Sequence, residues 1–282
     1  MLRVDDPPSG HSTAIQAALV RRRAALAARN VAYTELGADL LATDQRIADV
    51  FHTAVGTLPR RPSALWLDIS SMPKRYFFLW LKLALNSADI ETVLVTYSQP
   101  TPGGYVDAHL AEDPEDLRPL PGYTSIVEPS TLVVAVGFES LGLPQFLSEY
   151  RDRQRRIVVF IPFPPGQPYA QRIWQTVQRL GLSTVGPDSR RVATLDAFET
   201  VRQLDAVLAG DQATADRREQ VSVALAPYGP KPVSLGMCLF AMERDAAVFY
   251  TQPRSYHPAY TSGTGPSWGY LLKFGGRRLK LE

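Results

Sequence analysis

The sequence predicts an α/β fold made of two tandem Rossmann-like halves with mainly parallel sheets. Short β-branched runs alternate with helical stretches along most of the 282 residues, and such alternation is typical of parallel strands joined by right-handed crossovers. Runs such as ALWLDIS at 64–70 and TLVVAV at 131–136 show no polar alternation, as expected of strands buried on both faces. A repeated pattern, described below, indicates that the two halves are related.

The first half, residues 1–125, is expected to contain four strands and three helices. Ser12 is a suitable N-cap for the first helix, and Thr43 or Asp44 for the second. Pro73 suits the start of the third helix. The strands are expected at 2–5, 31–36, 64–70 and 92–97, and the helices at 12–29, 43–55 and 74–85.

A segment rich in proline, glycine and acidic residues follows at 98–130. It is too long for an ordinary connection inside a compact domain. We therefore expect a linker or a functional loop at this position, where the two halves join.

The alternation restarts in the second half, residues 126–282. Asp196 is a suitable N-cap for one of its helices. The strands are expected at 131–136, 156–161, 192–195, 220–226, 246–250 and 270–274, and the helices at 143–153, 167–180, 196–209 and 232–244.

Composition excludes several classes of protein and site. The formal net charge of +2 does not indicate direct DNA or RNA binding. The single cysteine, Cys238, and four scattered histidines offer no metal-binding spacing, and we expect no metal and no cofactor. No apolar run is long enough to cross a membrane, and the acidic, proline-containing start does not resemble a signal peptide. The chain is thus expected in the cytoplasm.

A pattern in the first half recurs in the second. The segment LWLDISSMPKRYFFLWLKLAL followed by VLVTYSQP corresponds to VSVALAPYGPKPVSLGMCLFAM followed by AVFYTQP. Lys74 matches Lys231 at an offset of 157 residues, and Gln99 matches Gln252 at an offset of 153. The recurrence predicts an internal duplication, although any two strand–helix–strand units share some features.

The two Pro-Lys turns, SSMPK at 70–74 and PYGPK at 227–231, are candidate anion sites. Ligands of open parallel sheets bind beyond the carboxyl ends of the strands, where helix N-termini attract anions and a lysine adds a full charge. The alternative is that proline and glycine only shape the turns and the lysines are solvated. The residues predicted to bind a ligand are Asp6, Ser70, Ser71, Lys74, Arg75, Gln99, Glu139, Tyr228, Gly229, Lys231, Gln252 and Tyr256.

The strand, turn and helix at 221–242 resemble the signature region of CARF domains, which are Rossmann-like sensors of cyclic oligonucleotides in prokaryotic defence. Two such halves in one chain resemble the SAVED domain. The turn PYGPK matches the family pattern at Gly229 and Lys231, whereas SSMPK matches it only at Lys74. The resemblance implies a non-enzymatic sensor or regulatory subunit. It would bind a nucleotide-type ligand between its halves and act on a separate effector protein.

Two other functions stay open at this stage. The chain could be a docking subunit of a multi-protein defence complex, with its tandem fold as a platform. It could also be a nucleotide-processing enzyme, a phosphodiesterase or a glycosidase, with His257 of the segment YHPAY at 256–260 in the active site. The common catalytic motifs G-x-S-x-G and G-x-x-x-x-G-K-[ST] are absent, and we name no catalytic residue.

Overall fold

The computed structural model describes residues 1–56, 63–101, 118–125, 128–137, 142–144, 147–148, 155–164, 169–182, 188–214 and 221–279. Within these ranges the chain forms an α/β fold. The helices are α1 (Ser12–Ala28), α2 (Asp44–Gly56), α3 (Lys74–Asn86), α4 (Tyr169–Arg179), α5 (Ala197–Thr214) and α6 (Lys231–Arg244). The strands are β1 (Leu2–Asp5), β2 (Leu36–Asp39), β3 (Ala64–Asp68), β4 (Thr92–Ser98), β5 (Arg118–Pro119), β6 (Thr131–Ala135), β7 (Arg156–Phe163), β8 (Ser189–Ala193), β9 (Val223–Pro227), β10 (Ala247–Tyr250), β11 (Ser267–Phe274) and β12 (Arg277–Arg278).

The largest sheet has six strands in the order β5-β10-β9-β6-β7-β8. Its strands from β6 to β10 are parallel to their neighbours, and β5 is antiparallel to β10. The five parallel strands follow the 3-2-1-4-5 order of Rossmann folds, and the order reverses between β6 and β9. Both of these strands are buried along their whole length, as expected at the centre of a covered sheet.

A second sheet has four strands in the order β12-β11-β4-β3. The edge strand β3 is parallel to β4, and β11 lies antiparallel to β4. The remaining strands, β1 and β2, form a separate parallel pair. The unit β3–α3–β4 and the unit β9–α6–β10 therefore share one arrangement, a parallel strand pair joined by a helix that begins with lysine.

Each of the two larger sheets contains a strand from the far side of the predicted boundary at 125/126. Strand β11, from the end of the chain, pairs with β4, and β5, which precedes the boundary, pairs with β10. The strand pairing thus crosses this boundary in both directions. The boundary itself, and the internal duplication, stay predictions.

One hydrophobic core joins the two larger sheets. It combines Leu67 and Val93 of the four-stranded sheet with Val133 and Leu225 of the six-stranded sheet, and with the apolar side chains of α3 and α6. A second core lies on the opposite face of the six-stranded sheet, where α4 packs. Within the described residues, no helix is both long enough and apolar enough to cross a membrane.

Most predicted elements are confirmed, with shifted ends. Asp196 caps α5, since its Oδ1 accepts hydrogen bonds of 2.9 Å from the backbone N–H groups of Phe198 and Glu199. The oxygen Oγ1 of Thr43 accepts one of 3.3 Å from the N–H of Arg46 at the start of α2. Ser12 is not the N-cap of α1, because that helix begins at Ser12 itself.

The strand predicted at 31–36 is wrong. The strand in this region is β2, which pairs residue by residue with β1, from Leu2 opposite Leu36 to Asp5 opposite Asp39. Val31 and Tyr33, which suggested the strand, are 46% and 40% exposed. The position of the partner strand overrides local β-propensity here. The helix predicted at 143–153 lies mostly outside the described residues.

Candidate functional site

The two Pro-Lys turns occupy equivalent places in their units. Lys74 is the first residue of α3 and Lys231 is the first residue of α6, and each follows a proline at the N-cap position. Pro73 and Pro230 both have extended ψ angles, of 143° and 156°. Since both lysines stand after a parallel strand, each lies at the carboxyl edge of its own sheet.

The two lysines reach across to each other's turn. The ammonium of Lys74 donates hydrogen bonds to the carbonyl of Pro227 and, at 3.1 Å, to that of Gly229. The ammonium of Lys231 donates to the carbonyl of Met72 and, at 3.1 Å, to that of Ile69. We call this reciprocal pair of contacts the lysine clasp. It fixes the two turns against each other.

The lysine clasp brings two cations into the interior of the protein. Burial lowers the pKa of Lys231 to about 7, and the charge of Asp68 partly opposes this effect. Burial also lowers the pKa of Lys74 well below its ordinary value, and the nearby charge of Lys231 lowers it further. Among the described residues, neither ammonium forms a salt bridge with a carboxylate. The clasp is therefore a point at which an anion would be stabilised.

Aromatic rings and close backbone contacts surround the clasp. The ammonium of Lys74 lies 4.9 Å from the ring centroid of Tyr250, within the range of a cation–π contact. The rings of Tyr228 and Tyr250 are 5.3 Å apart. A side chain at Gly137 would place its Cβ only 2.0 Å from the carbonyl oxygen of Tyr228, so the backbone that follows β6 packs closely against the PYGPK turn.

A second group of predicted residues gathers near β1 and the segment that follows β10. The carboxylate oxygen Oδ2 of Asp6 accepts a 3.0 Å hydrogen bond from the backbone N–H of Tyr256. The side-chain amide of Gln252 donates to the hydroxyl of Tyr256 and to the carbonyl of Pro253, both at 3.0 Å. We call Asp6, Gln252, Ser255 and Tyr256 the polar cluster.

Two side-chain oxygens of the polar cluster have no hydrogen-bond partner among the residues that the structure describes. They are the oxygen Oε1 of Gln252 and the oxygen Oγ of Ser255, which are both buried. Burial raises the pKa of Asp6. Burial also raises the pKa of Tyr250, and the nearby Tyr256 contributes to that shift. Because Tyr250 in turn lies beside Lys74, the polar cluster and the lysine clasp are neighbours.

The histidine considered for catalysis lies at the margin of the polar cluster. The ring of His257 contacts the ring of His11 edge to face, with centroids 4.7 Å apart. The charge of His11 acts to lower the pKa of Asp6, against the larger effect of burial. In the ranges the structure describes, no group of three His, Cys, Asp or Glu side chains is arranged to hold a metal ion.

The other predicted residues are divided between the turns and more distant positions. The hydroxyl of Ser70 accepts a 2.8 Å hydrogen bond from the N–H of Ser98 and so braces the SSMPK turn. Ser71 is exposed. The Nη2 atom of Arg75 lies 3.9 Å from a carboxylate oxygen of Asp44. The backbone of Gln99 bonds to residues 265 and 266. Glu139 lies outside the described residues.

Sequence reasoning missed two features of this site. The carbonyl groups that hold the lysines carry no side-chain signal, so the sequence could not show the clasp. Ser255 lies in a segment without a motif, so no sequence pattern marked it.

No protein-family model matches this chain, and no curated protein matches it. The function is therefore inferred from the geometry of the clasp and the polar cluster.

Proposed function

We propose that this chain is a non-enzymatic sensor or regulatory subunit that binds a nucleotide-type anion at the carboxyl edges of its two larger sheets. The observation that supports this proposal is the reciprocal contact of Lys74 and Lys231 with each other's turn, which brings their charges close enough for that of Lys231 to lower the pKa of Lys74. Two buried lysine side chains that bond to neutral carbonyls rather than to carboxylates suit a phosphate, because a bound anion would favour their charged form.

The phosphate contact does not require the clasp to break. A lysine ammonium has three N–H donors, and two of them point to carbonyls in each case. We expect the third donor of each lysine to bind a phosphate oxygen. Each charge-assisted hydrogen bond contributes about 1.5–3 kcal/mol.

The polar cluster suits the sugar or base of the same ligand. The free oxygen of Gln252 is an acceptor, and the hydroxyl of Ser255 can donate or accept. Ribose hydroxyls and the exocyclic amines of bases carry the matching donors. Cyclic oligonucleotides stay among the candidate ligands, and the resemblance to tandem defence sensors favours a separate effector protein as the partner.

Isothermal titration calorimetry tests the proposal with a panel of mononucleotides, linear and cyclic oligonucleotides, and pyrophosphate. We expect one member to bind, and we expect Lys74→Met and Lys231→Met each to weaken that binding by about tenfold or more. The matched control is Lys82→Met, a lysine of α3 whose ammonium bonds to the carbonyl of Gly122 away from the clasp.

A bound anion favours the ammonium form of both clasp lysines, so binding near neutral pH should take up protons. Titrations in two buffers with different ionisation enthalpies measure this uptake. If no member of the panel binds to the folded wild-type chain, the sensor function is excluded. Conversion of a ligand into product, lost in His257→Ala, would indicate the enzyme instead.

A further inference from the structure

The four-stranded sheet has an outer face, on the side opposite to the hydrophobic core. Residues of β4 alternate strictly, and Val93, Val95 and Tyr97 are buried in the core. Leu94 points the other way and is paired with Trp66 of β3 on one side and with Leu271 of β11 on the other. These three residues form an apolar row across three strands. Trp66 is 70% exposed and Leu271 is 38% exposed.

The same face continues to the edge of the sheet. Phe274, which is 64% exposed, is the cross-strand partner of Arg277, and residues paired in this way share a face. The neighbouring pair, Lys273 and Arg278, points to the other side, where both side chains bond to the carbonyl of Leu85. We call the surface formed by Trp66, Asp68, Leu94, Leu271, Phe274 and Arg277 the outer face.

The corresponding surface of the six-stranded sheet is covered. Leu132, Val134 and Val159 of that sheet pack against Ile173 and Val177 of α4. In the described part of the chain, the four-stranded sheet has no such cover over Trp66 and Phe274, which are 70% and 64% exposed. Large apolar side chains exposed together on one face indicate an interaction surface.

The charges of the outer face lie at opposite corners. Asp68 ends β3 at the carboxyl edge of the sheet, one row beyond Trp66. Arg277 lies on β12 at the opposite side edge, level with Phe274 and near the start of β4. The apolar row lies between these two corners. The face therefore has an apolar centre, one acidic corner and one basic corner.

We propose that a second copy of this chain binds the outer face and forms a symmetric dimer. A two-fold axis can lie in the face between Leu94 and Leu271, perpendicular to the line from Asp68 to Arg277. This axis places Asp68 against Arg277 of the second copy. By symmetry the same contact forms twice in each dimer.

The same axis aligns the exposed aromatic side chains. It brings Trp66 of one copy to Phe274 of the second copy, again twice, while Leu94 and Leu271 pack near the axis. The strands of the two sheets then cross at nearly a right angle, which is one of the two usual geometries for sheets packed face to face. One arrangement thus pairs the opposite charges and buries the exposed apolar side chains.

Sedimentation equilibrium of the full chain over the micromolar range tests this dimer. We expect a reversible monomer–dimer equilibrium that weakens at high salt. Asp68→Arg and Arg277→Asp should each weaken dimerisation by about tenfold or more, because two ion pairs per dimer become repulsive. The combination of both substitutions should restore dimerisation.

Trp66→Ala tests the apolar part of the interface, and Trp174→Ala is its control. Trp174 is 45% exposed on α4, outside the outer face, and its substitution should leave the dimer unchanged. A wild-type chain that stays monomeric throughout the range overturns the proposal. A dimer that is insensitive to Trp66→Ala, or that the double charge exchange does not restore, also overturns it.

Discussion

Lys231 shows how one buried side chain links the fold to pH. Its ammonium holds the SSMPK turn through the carbonyls of Ile69 and Met72, and burial lowers its pKa to about 7. The ordinary pKa of a lysine side chain is 10.5. Between these two values the unfolded chain binds more protons at this site than the folded chain, so the free energy of unfolding rises with pH.

Substitution of Lys231 by methionine should therefore remove a pH-dependent contribution to stability. We expect the difference in unfolding free energy, Lys231→Met minus wild type, to decrease from neutral pH toward pH 10.5, by up to about 1.4 kcal/mol per pH unit. Urea unfolding at a series of pH values measures the difference. Lys82→Met serves as the control, and pH profiles for Lys231→Met that run parallel to wild type would contradict the prediction.

At the scale of elements, the packing of α5 on α6 depends on a glycine. A Cβ at Gly236 of α6 would lie 2.3 Å from the carbonyl oxygen of Ala197 and 2.5 Å from the Cβ of Thr200. Neither of these atoms is the end of a flexible side chain. The two helices can approach so closely because residue 236 has no side chain.

Gly236→Ala should destabilise the protein by about 1–3 kcal/mol or more, because the helices must move apart. The matched control is Gly210→Ala in α5, where a Cβ would meet no atom within 4 Å. That change should stabilise the protein by up to about 1 kcal/mol, since alanine favours the helix. Chemical unfolding of both variants measures these effects, and equal effects of the two substitutions would show that the contact at Gly236 is not tight.

At the scale of the whole molecule, the exchange of strands joins the two larger sheets. Strand β11 completes the sheet of β4, and β5 pairs at the edge of the sheet of β9 and β10. A single core and the lysine clasp lie between the sheets. Neither sheet can unfold without exposing apolar surface of the other.

We therefore expect the two larger sheets to unfold in one cooperative transition. Hydrogen exchange followed by mass spectrometry in increasing urea measures this for peptides that contain β4 and peptides that contain β9. Both sets should lose protection at the same urea concentration. Earlier loss in one set, with the other still protected, would indicate two independent domains.

The sequence alone determined the class of the fold and most of its elements, because the spacing of apolar residues, the positions of prolines and the capping residues are local properties. Thr43 and Asp196 cap helices as predicted. The Pro-Lys turns were also recognisable, since each lies within five residues. In contrast, β2 was misplaced, because its limits follow from hydrogen bonds to β1.

The tertiary structure decided which of these elements and turns come into contact. The contact between Asp6 and Tyr256 joins residues 250 positions apart, and the contacts of the clasp join residues more than 150 positions apart. Their acceptors are mostly backbone carbonyls, which every residue possesses and no sequence pattern marks. Strand order, the exchange of β5 and β11, and the convergence of the two lysines depend on such long-range pairing, and for that reason they emerged only from the folded chain.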